Sequence, residues 1–473
     1  MKKTKILITV GPASDNPATI ERLIKAGTNM FRVNCSHASP KDIIKLTALI
    51  RSVSKKVEVP VAVVLDLQGP KMRVGEFDDG FIQLKKGAKL TLTVTDKKSD
   101  GSFIPVQYRD FHKDVSVGQR ILLDDGNFSL KALSKNGKDV VARVIDAGIL
   151  KNKKGINLPD TAVSTDPLTR KDLSDLKYGL QAGVDFVAIS FVRSALEIRK
   201  LKKLISKTSP HTEVIAKIER HEAVQDIEAI VMESDAVMIA RGDLGVELPA
   251  AKVPVIQLQI VQLCHYYSKP VIIATQMLES MIVSPRPTRA ELSDVGNSVR
   301  FYVDAMMLSA ETASGKHPVE AVTQMSNTAI EMEDYQNSFH KVMPWEWRHE
   351  KEPPKGRALA YSSCRLSELL KAKGLIIITE TGFTAKQVAS SHPNTPIYAF
   401  TPHKETMQKL SIVRNVTPFQ HRFKGTLQEN IAVIHDILKE KKLVKRGDPV
   451  VITGGLDLGV KGSTRMMMIE EVK

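Results

Sequence analysis

Eight short apolar runs separated by segments of helical period restrict the fold more than any other feature of this chain. They fall at 6–10, 29–33, 61–65, 185–190, 213–218, 235–240, 271–274 and 304–309. Most are rich in Val, Ile, Ala and Met with no polar alternation, as strands buried on both faces of a parallel sheet must be. The stretches between them, such as 18–26, 170–182 and 223–232, carry apolar residues at helical spacing. Strand and helix alternating eight times predict a (β/α)8 TIM barrel.

One interval breaks the rhythm. Between the third and fourth runs lie about 115 residues of another character, in which 89–95, 120–123 and 139–144 alternate or cluster like antiparallel strands. Asp125-Gly126 after Ile121-Leu122-Leu123 is a hairpin signal. The expectation is a discontinuous barrel, 1–69 and 166–337, with a small β-barrel lid domain inserted at 70–165. A Pro- and Trp-containing stretch at 338–356 reads as a linker. Strands at 374–379, 396–400 and 449–453, alternating with helices, then predict an open α/β domain over 357–473.

In such a barrel, chemistry collects at the C-terminal ends of the strands. Polar residues follow the runs there: Arg32, Asn34 and Ser36 after the second, Asp66 the third, Ser190 the fourth, and Lys217 and Glu219 the fifth. Arg241, Gly242 and Asp243 follow the sixth, Thr275 the seventh, and Ser309 and Glu311 the eighth. Any strand must end in water, so one or two such ends mean little. Lys217 is different, because a cation inside Val214-Ile215-Ala216-Lys217-Ile218-Glu219 interrupts a buried run and requires an anionic partner. Glu219 and Asp243 end adjacent strands and can converge on one hard divalent cation. The Gly-containing turn 240–245 offers free amides to a carboxylate. An anion with a carboxylate at one end and a phosphate at the other would suit this set.

Thr9-Val10-Gly11-Pro12-Ala13-Ser14, Arg32-Val33-Asn34-Cys35-Ser36-His37, Lys217-Ile218-Glu219, Ala240-Arg241-Gly242-Asp243-Leu244-Gly245 and Ala274-Thr275-Gln276-Met277-Leu278-Glu279-Ser280-Met281 occur in that order. Pro285-Arg286-Pro287-Thr288-Arg289-Ala290-Glu291 and Met307-Leu308-Ser309-Ala310-Glu311-Thr312 follow. As an ordered set these segments resemble the pyruvate kinase family. The resemblance implies transfer of the phosphoryl group of phosphoenolpyruvate to ADP in glycolysis, by a cytoplasmic homotetramer. It implies Mg²⁺ or Mn²⁺ on Glu219 and Asp243, and Lys217 and Arg32 on the phosphoryl group. Thr275 and the amides of Arg241, Gly242 and Asp243 would take the substrate carboxylate. Thr275 with Ser309 and Glu311 would form the proton route, and Arg73 with one of Lys153 and Lys154 would meet ADP. His37 is expected to be structural.

Departures from the family pattern carry information too. Cys35 and Ala38 stand where Phe and Gly are common, as packing variants. Leu67, Gln68 and Lys71 replace the Thr, Lys and Glu of members that bind K⁺ at positions matching Asn34, Ser36, Asp66 and Leu67; the expectation is that K⁺ is not required. Thr379, Thr381, Gly382 and Thr384 resemble the family's effector phosphate loop, with a plain helix cap as the alternative. The segment 454–462 lacks the Trp and Arg with which members regulated by fructose 1,6-bisphosphate hold that effector, so a sugar monophosphate or nucleotide, or no effector, is expected.

Composition narrows the rivals. The formal net charge is +15, but aromatic residues are only 5% and no basic block is interleaved with them, so nucleic acid is not an expected partner. No run reaches the ~18 apolar residues of a membrane span, and Met1 to Val10 reads as a first strand rather than a leader. Cys35, Cys264 and Cys364 are too far apart in sequence to suggest a disulfide framework or zinc spacing, which fits a reducing cytoplasm. The remaining alternatives are another barrel enzyme acting on phosphoenolpyruvate or a 2-oxo acid, and an inactive metabolite-binding regulator.

Overall fold

The computed structural model describes residues 2–161, 163–338, 355–455 and 464–473. Most of the expected linker, 339–354, lies outside the described residues, as does 456–462 of the segment compared with the bisphosphate-regulated members.

In chain order the strands begin with β1 (Lys5–Thr9), β2 (Met30–Asn34) and β3 (Ala62–Asp66). The insert follows: β4 (Phe81–Leu84), β5 (Lys89–Val94), β6 (Phe103–Val106), β7 (Arg120–Leu123), β8 (Phe128–Asn136), β9 (Asp139–Val144), β10 (Gly148–Lys151) and β11 (Ile156–Asn157). Then come β12 (Phe186–Ile189), β13 (Glu213–Ile218), β14 (Ala236–Ala240), β15 (Val271–Ala274) and β16 (Ala305–Leu308). The C-terminal strands are β17 (Gly374–Ile378), β18 (Ile397–Thr401), β19 (Val416–Gln420), β20 (Pro449–Gly455) and β21 (Thr464–Glu471).

Eight of these close into a parallel barrel in the order β1-β16-β15-β14-β13-β12-β3-β2. Strand periodicity sorts its side chains into two sets. Leu7, Met30, Val64, Ala188, Ile215, Met238, Ile272 and Met307 belong to one buried cluster, while Ile6, Ile8, Phe31, Val33, Val63 and Leu65 belong to another with helix residues such as Leu23, Ile43 and Ile50. The second set is the layer between sheet and helices. Two residues on from Leu7, Met30, Val64, Ala188 and Ile215, on the same face, stand Thr9, Arg32, Asp66, Ser190 and Lys217. The period that packs the interior therefore also delivers the polar set to one end.

Capping boxes start several of the helices: Ser39 with Asp42, Thr169 with Asp172, and Thr288 with Glu291. In each, the N-cap hydroxyl and the carboxylate three residues on satisfy one another's free backbone amides.

The insert is a curled six-stranded sheet, β11-β7-β8-β9-β5-β6, beside a β10-β4 ribbon, with its own core around Val74, Phe77, Ile104, Phe111 and Leu130. Its β7–β8 hairpin turns at Asp124, Asp125 and Gly126, all with positive φ. The C-terminal sheet runs β19-β18-β17-β20-β21, parallel except for β21. It is joined to the barrel by partly buried ion pairs from Glu213, at the start of β13, to Lys386 (2.9 Å) and Lys409 (3.1 Å). No helix among the described residues is long and apolar enough to cross a membrane.

Candidate active site

Asp66, at the end of β3 and 1% exposed, organises the first group of site residues. Its Oδ2 accepts from Arg32 Nε at 2.6 Å, and its Oδ1 lies 3.3 Å from Lys217 Nζ. Arg32 Nη1 also donates to Thr9 Oγ1 at 2.9 Å. Lys217 Nζ reaches Glu219 Oε1 at 2.8 Å and Ser190 Oγ at 2.8 Å. Glu219 Oε2 in turn accepts from the Phe191 amide at 2.7 Å. The anion that the buried lysine requires is thus a pair of carboxylates.

Burial by itself would discharge Lys217, but Asp66 and Glu219 more than reverse this and hold its pKa above the ordinary lysine value. Burial likewise works against an ionised Asp66, yet Lys217 and Arg32 leave its carboxyl below the usual range. Glu219 goes the other way. Burial, reinforced by Asp243, outweighs Lys217 and raises its pKa. A carboxylate whose ionisation is opposed by burial and by a second carboxylate fits the demand for a divalent cation beside it, with hard oxygen donors suited to Mg²⁺ or Mn²⁺. Glu219 and Asp243 would be its protein ligands.

The second group surrounds the start of the helix Arg241–Glu247, which follows β14 directly. Thr275 and Gln276 have φ of 69° and 55°, backbone conformations costly for a β-branched residue such as Thr275. Thr275 Oγ1 donates to Ala274 O at 2.6 Å and accepts from Gly242 N at 2.8 Å. The Arg241 guanidinium is committed to bracing this turn, with Asp294 at 2.7 Å and the carbonyls of Thr275 and Gln276 at 2.8 and 3.1 Å. The expected carboxylate-binding role is therefore open to backbone amides here but not to the Arg241 side chain. The Gly242 amide becomes free for a carboxylate when Thr275 Oγ1 yields it.

The third group holds Glu311, which is buried and accepts from Ser309 N at 2.7 Å and Leu278 N at 3.2 Å. Burial raises its pKa. It also ties the loop after β16 to the loop after β15.

The remaining expected residues lie in or beside the insert. A solvent-open cleft of about 490 Å³ is lined by Lys71, Asp125, Phe191, Arg193, Arg220 and Asp243, among others. It is therefore bounded by both the barrel mouth and the insert. Arg73 Nη1 donates to Lys153 O at 3.0 Å, Lys153 Nζ pairs with Glu76 at 2.7 Å, and Lys154 Nζ pairs with Asp124 at 2.7 Å. These three residues are neighbours, and a nucleotide would have to draw the lysines away from their separate carboxylates. Asn34 Oδ1 caps the Ser36 amide at 3.1 Å, and Leu67 N bonds Ala188 O at 3.0 Å. In the C-terminal domain, Thr379 Oγ1 accepts from Gly382 N at 3.0 Å and Thr384 Oγ1 meets Thr464 Oγ1 at 2.7 Å. Gly382 has φ 83°, a conformation that a side chain would strain.

Sequence reasoning placed Asp66 only in a monovalent-cation region, and its grip on both Arg32 and Lys217 was missed. The signal was available, because Val64 and Asp66 share a strand face as Ile215 and Lys217 do. Arg193 and Arg220, which line the cleft, were also missed. Both follow apolar strand runs closely, as the residues singled out do. His221, Glu222 and Glu247 bring three ligand atoms within 4.8 Å of one another. Arg220, however, pairs with both carboxylates, at 3.0 and 3.9 Å, so that cluster is already partly charge-compensated.

Comparison with known proteins agrees with this geometry. Residues 1–322 match the family described as pyruvate kinase, barrel domain, and residues 357–470 match pyruvate kinase, alpha/beta domain. The chain belongs to the pyruvate kinase family. Among its relatives is pyruvate kinase 2 of Synechocystis sp., 40% identical over 478 residues, covering 100% of this chain and 80% of the relative. The pyruvate kinase of Clostridium acetobutylicum is 37% identical over 475 residues, covering 100% of both chains. A crystal structure of a pyruvate kinase from Cryptosporidium parvum superposes with a TM-score of 0.91 at 32% identity, covering 100% of this chain and 96% of that one. The pyruvate kinase fold is thus shared across all three parts of the chain.

Proposed function

We propose that this protein is an active pyruvate kinase of glycolysis that works in the cytoplasm, as a homotetramer, and needs no K⁺. The observation that carries the catalytic reading is Lys217, a buried ammonium between Asp66 and Glu219 at the mouth of the barrel. Arg32 and Lys217 bind the phosphate of phosphoenolpyruvate, and the amides of Arg241, Gly242 and Asp243, with Thr275, bind its carboxylate. A Mg²⁺ or Mn²⁺ ion held by Glu219 and Asp243 would supply charge neutralisation to the phosphoryl oxygens.

A β-phosphate oxygen of ADP forms the new P–O bond as the bond from phosphorus to the enol oxygen breaks, and the electron pair stays on that oxygen. Such a transfer is catalysed mainly by placement and charge, which is what a held lysine and arginine provide. The resulting enolate takes a proton at its terminal carbon by a route through Thr275, with Ser309 and Glu311 behind it. The raised pKa of Glu311 suits a group that must hold a proton before giving it up.

Residues 70–165 act as the lid, bringing Arg73, Lys153 and Lys154 to the nucleotide. Lys71 takes the place of the monovalent cation near Asn34, Ser36, Asp66 and Leu67. Thr379, Thr381, Gly382 and Thr384 form the candidate loop for a phosphorylated effector. Pyruvate formation from phosphoenolpyruvate and ADP with Mg²⁺ tests the assignment. No pyruvate under these conditions overturns it.

A further inference from the structure

The insert leaves and re-enters the barrel by two chain segments, and among the described residues only the returning one is gripped by arginines. The outgoing one is held close to β3 and β12: Leu67 N bonds Ala188 O at 3.0 Å, Leu67 O accepts from Ser190 Oγ at 2.7 Å, and Gly69 N bonds Asp172 Oδ1 at 3.1 Å. On the returning segment, 157–165, the described polar contacts with the barrel are made by barrel side chains from three successive strand-to-helix loops. After β12, Arg193 donates from Nη2 to Thr165 O at 2.7 Å and from Nη1 to Val163 O. After β13, Arg220 Nη2 donates to Thr161 O at 3.4 Å. In the connection after β14, at the end of the helix Arg241–Glu247, Glu247 Oε1 accepts from Asn157 Nδ2 at 3.2 Å.

The arginines are themselves held. Glu197 takes Arg193 Nε at 2.9 Å, and Glu222 takes Arg220 through both Nε (3.0 Å) and Nη2 (3.1 Å). A guanidinium holds a carboxylate and a carbonyl in a set planar geometry because its donors are fixed in a fork, whereas an ammonium imposes no such geometry.

We infer that Arg193 and Arg220, with Glu247, are positioning residues for ADP, because their side chains pin the strap 157–165 that sets where the insert's cations stand. Asn157 is only three residues from Lys154. Between them the chain is stiffened by Asp124 N to Gly155 O (3.0 Å), Val74 N to Lys154 O (2.9 Å) and the β11–β7 pairing of Asn157 with Leu122. Displacement of the strap is therefore passed to Arg73, Lys153 and Lys154 with little slack. Gripping backbone carbonyls makes the arginines' part of this hold independent of the strap's side chains, and among the described residues Asn157 alone contributes through its own. A hold on the nucleotide side leaves Arg32, Lys217 and the Gly242 turn in place, since they belong to the barrel itself.

This inference rests on the nucleotide role given to the three insert cations, so its test needs a readout that does not depend on that role. Arg193→Lys, Arg220→Lys and the double variant keep the charge that balances Glu197, Glu222 and Glu247, and so keep the fold. Steady-state kinetics should show KM for ADP up roughly threefold in each single variant and about tenfold in the double. KM for phosphoenolpyruvate and kcat should stay within about twofold. Hydrogen exchange on the full chain should show amides of 157–165 exchanging about tenfold faster in the double variant, with β12–β14 unchanged. Unchanged strap exchange overturns the clamp whatever the kinetics. Faster strap exchange with equal changes in both KM values, or with none, overturns its role in placing ADP. A wild-type enzyme indifferent to ADP would refute the site assignment instead, and the exchange result would still judge the clamp.

Discussion

Asp66→Asn removes one charge and keeps the shape, so it isolates what the buried carboxylate does. In the wild type the carboxylate faces Arg32 at 2.6 Å and Lys217 at 3.3 Å, with Ser190 Oγ 3.4 Å away. At an effective dielectric of ~20, a unit charge at 3.3 Å attracts by about 5 kcal/mol, and most of that only offsets the cost of taking the charges out of water. Removing one partner from a buried group of this kind costs about 3–5 kcal/mol. Arg32 keeps Thr9 and Lys217 keeps Glu219, which favours the lower end. A loss of about 3 kcal/mol lowers a barrel-sized unfolding midpoint by roughly 6–12 °C. The same change frees Lys217 and Arg32 from their common anchor and should reduce kcat by about a hundredfold or more.

Thermal unfolding followed by far-UV circular dichroism reads the first effect, and coupled pyruvate formation reads the second. The pH dependence supplies a further check. The folded-state pKa of Asp66 is lowered, so its contribution is present above the ordinary carboxylate range and is lost as pH falls through the lowered value. The gap between wild type and variant should be constant from about pH 6 to 8 and should close in acid. A variant within about 2 °C of wild type, with kcat within about threefold, would refute the role given to Asp66.

Three other outcomes are expected. Catalysis in tetramethylammonium buffer should change less than about tenfold when K⁺ is added at constant ionic strength, because an ion ~5 Å from an ammonium at Lys71 is repelled by roughly 3 kcal/mol; Lys71→Glu should lower the K⁺-free rate. Asp243→Asn should weaken Mn²⁺ binding, measured by titration, by at least about tenfold and depress turnover with it. Fructose 1,6-bisphosphate at micromolar concentration should not activate strongly, and activation at that level would contradict the reading of 454–462.

The barrel was legible because its strands are buried on both faces. The runs at 213–218 and 271–274 coincide with β13 and β15, and the other six barrel strands lie within one residue or so of their runs. In the insert, 120–123 and 139–144 coincide with β7 and β9. The strands β4 and β10 escaped because Phe81 and Ile149 expose apolar side chains, so polar and apolar positions do not sort cleanly. The antiparallel edge β21 escaped because its run of Met466, Met467 and Met468 has no β-branched residue and no clear alternation.

At the site, spacing pointed to Lys217, Glu219 and Asp243 because each ends or follows a strand of known direction. It could not show that the Arg241 side chain braces the Thr275 turn, since its partner Asp294 is 53 residues away. Nor could it show Arg193 and Arg220 reaching across to the insert, because their acceptors are backbone carbonyls that carry no sequence signal.

The central claim is that the Lys217 ammonium stabilises the phosphoryl group in flight, and Lys217→Met tests it most directly when kcat and Mn²⁺ affinity are measured on the same preparation. Removing the cation relieves Glu219 of a competitor 2.8 Å away, so Mn²⁺ binding should be retained or tightened. The transition-state charge loses its partner, so kcat should fall by at least about a thousandfold. A variant that binds Mn²⁺ normally and turns over at a near-normal rate would contradict the account.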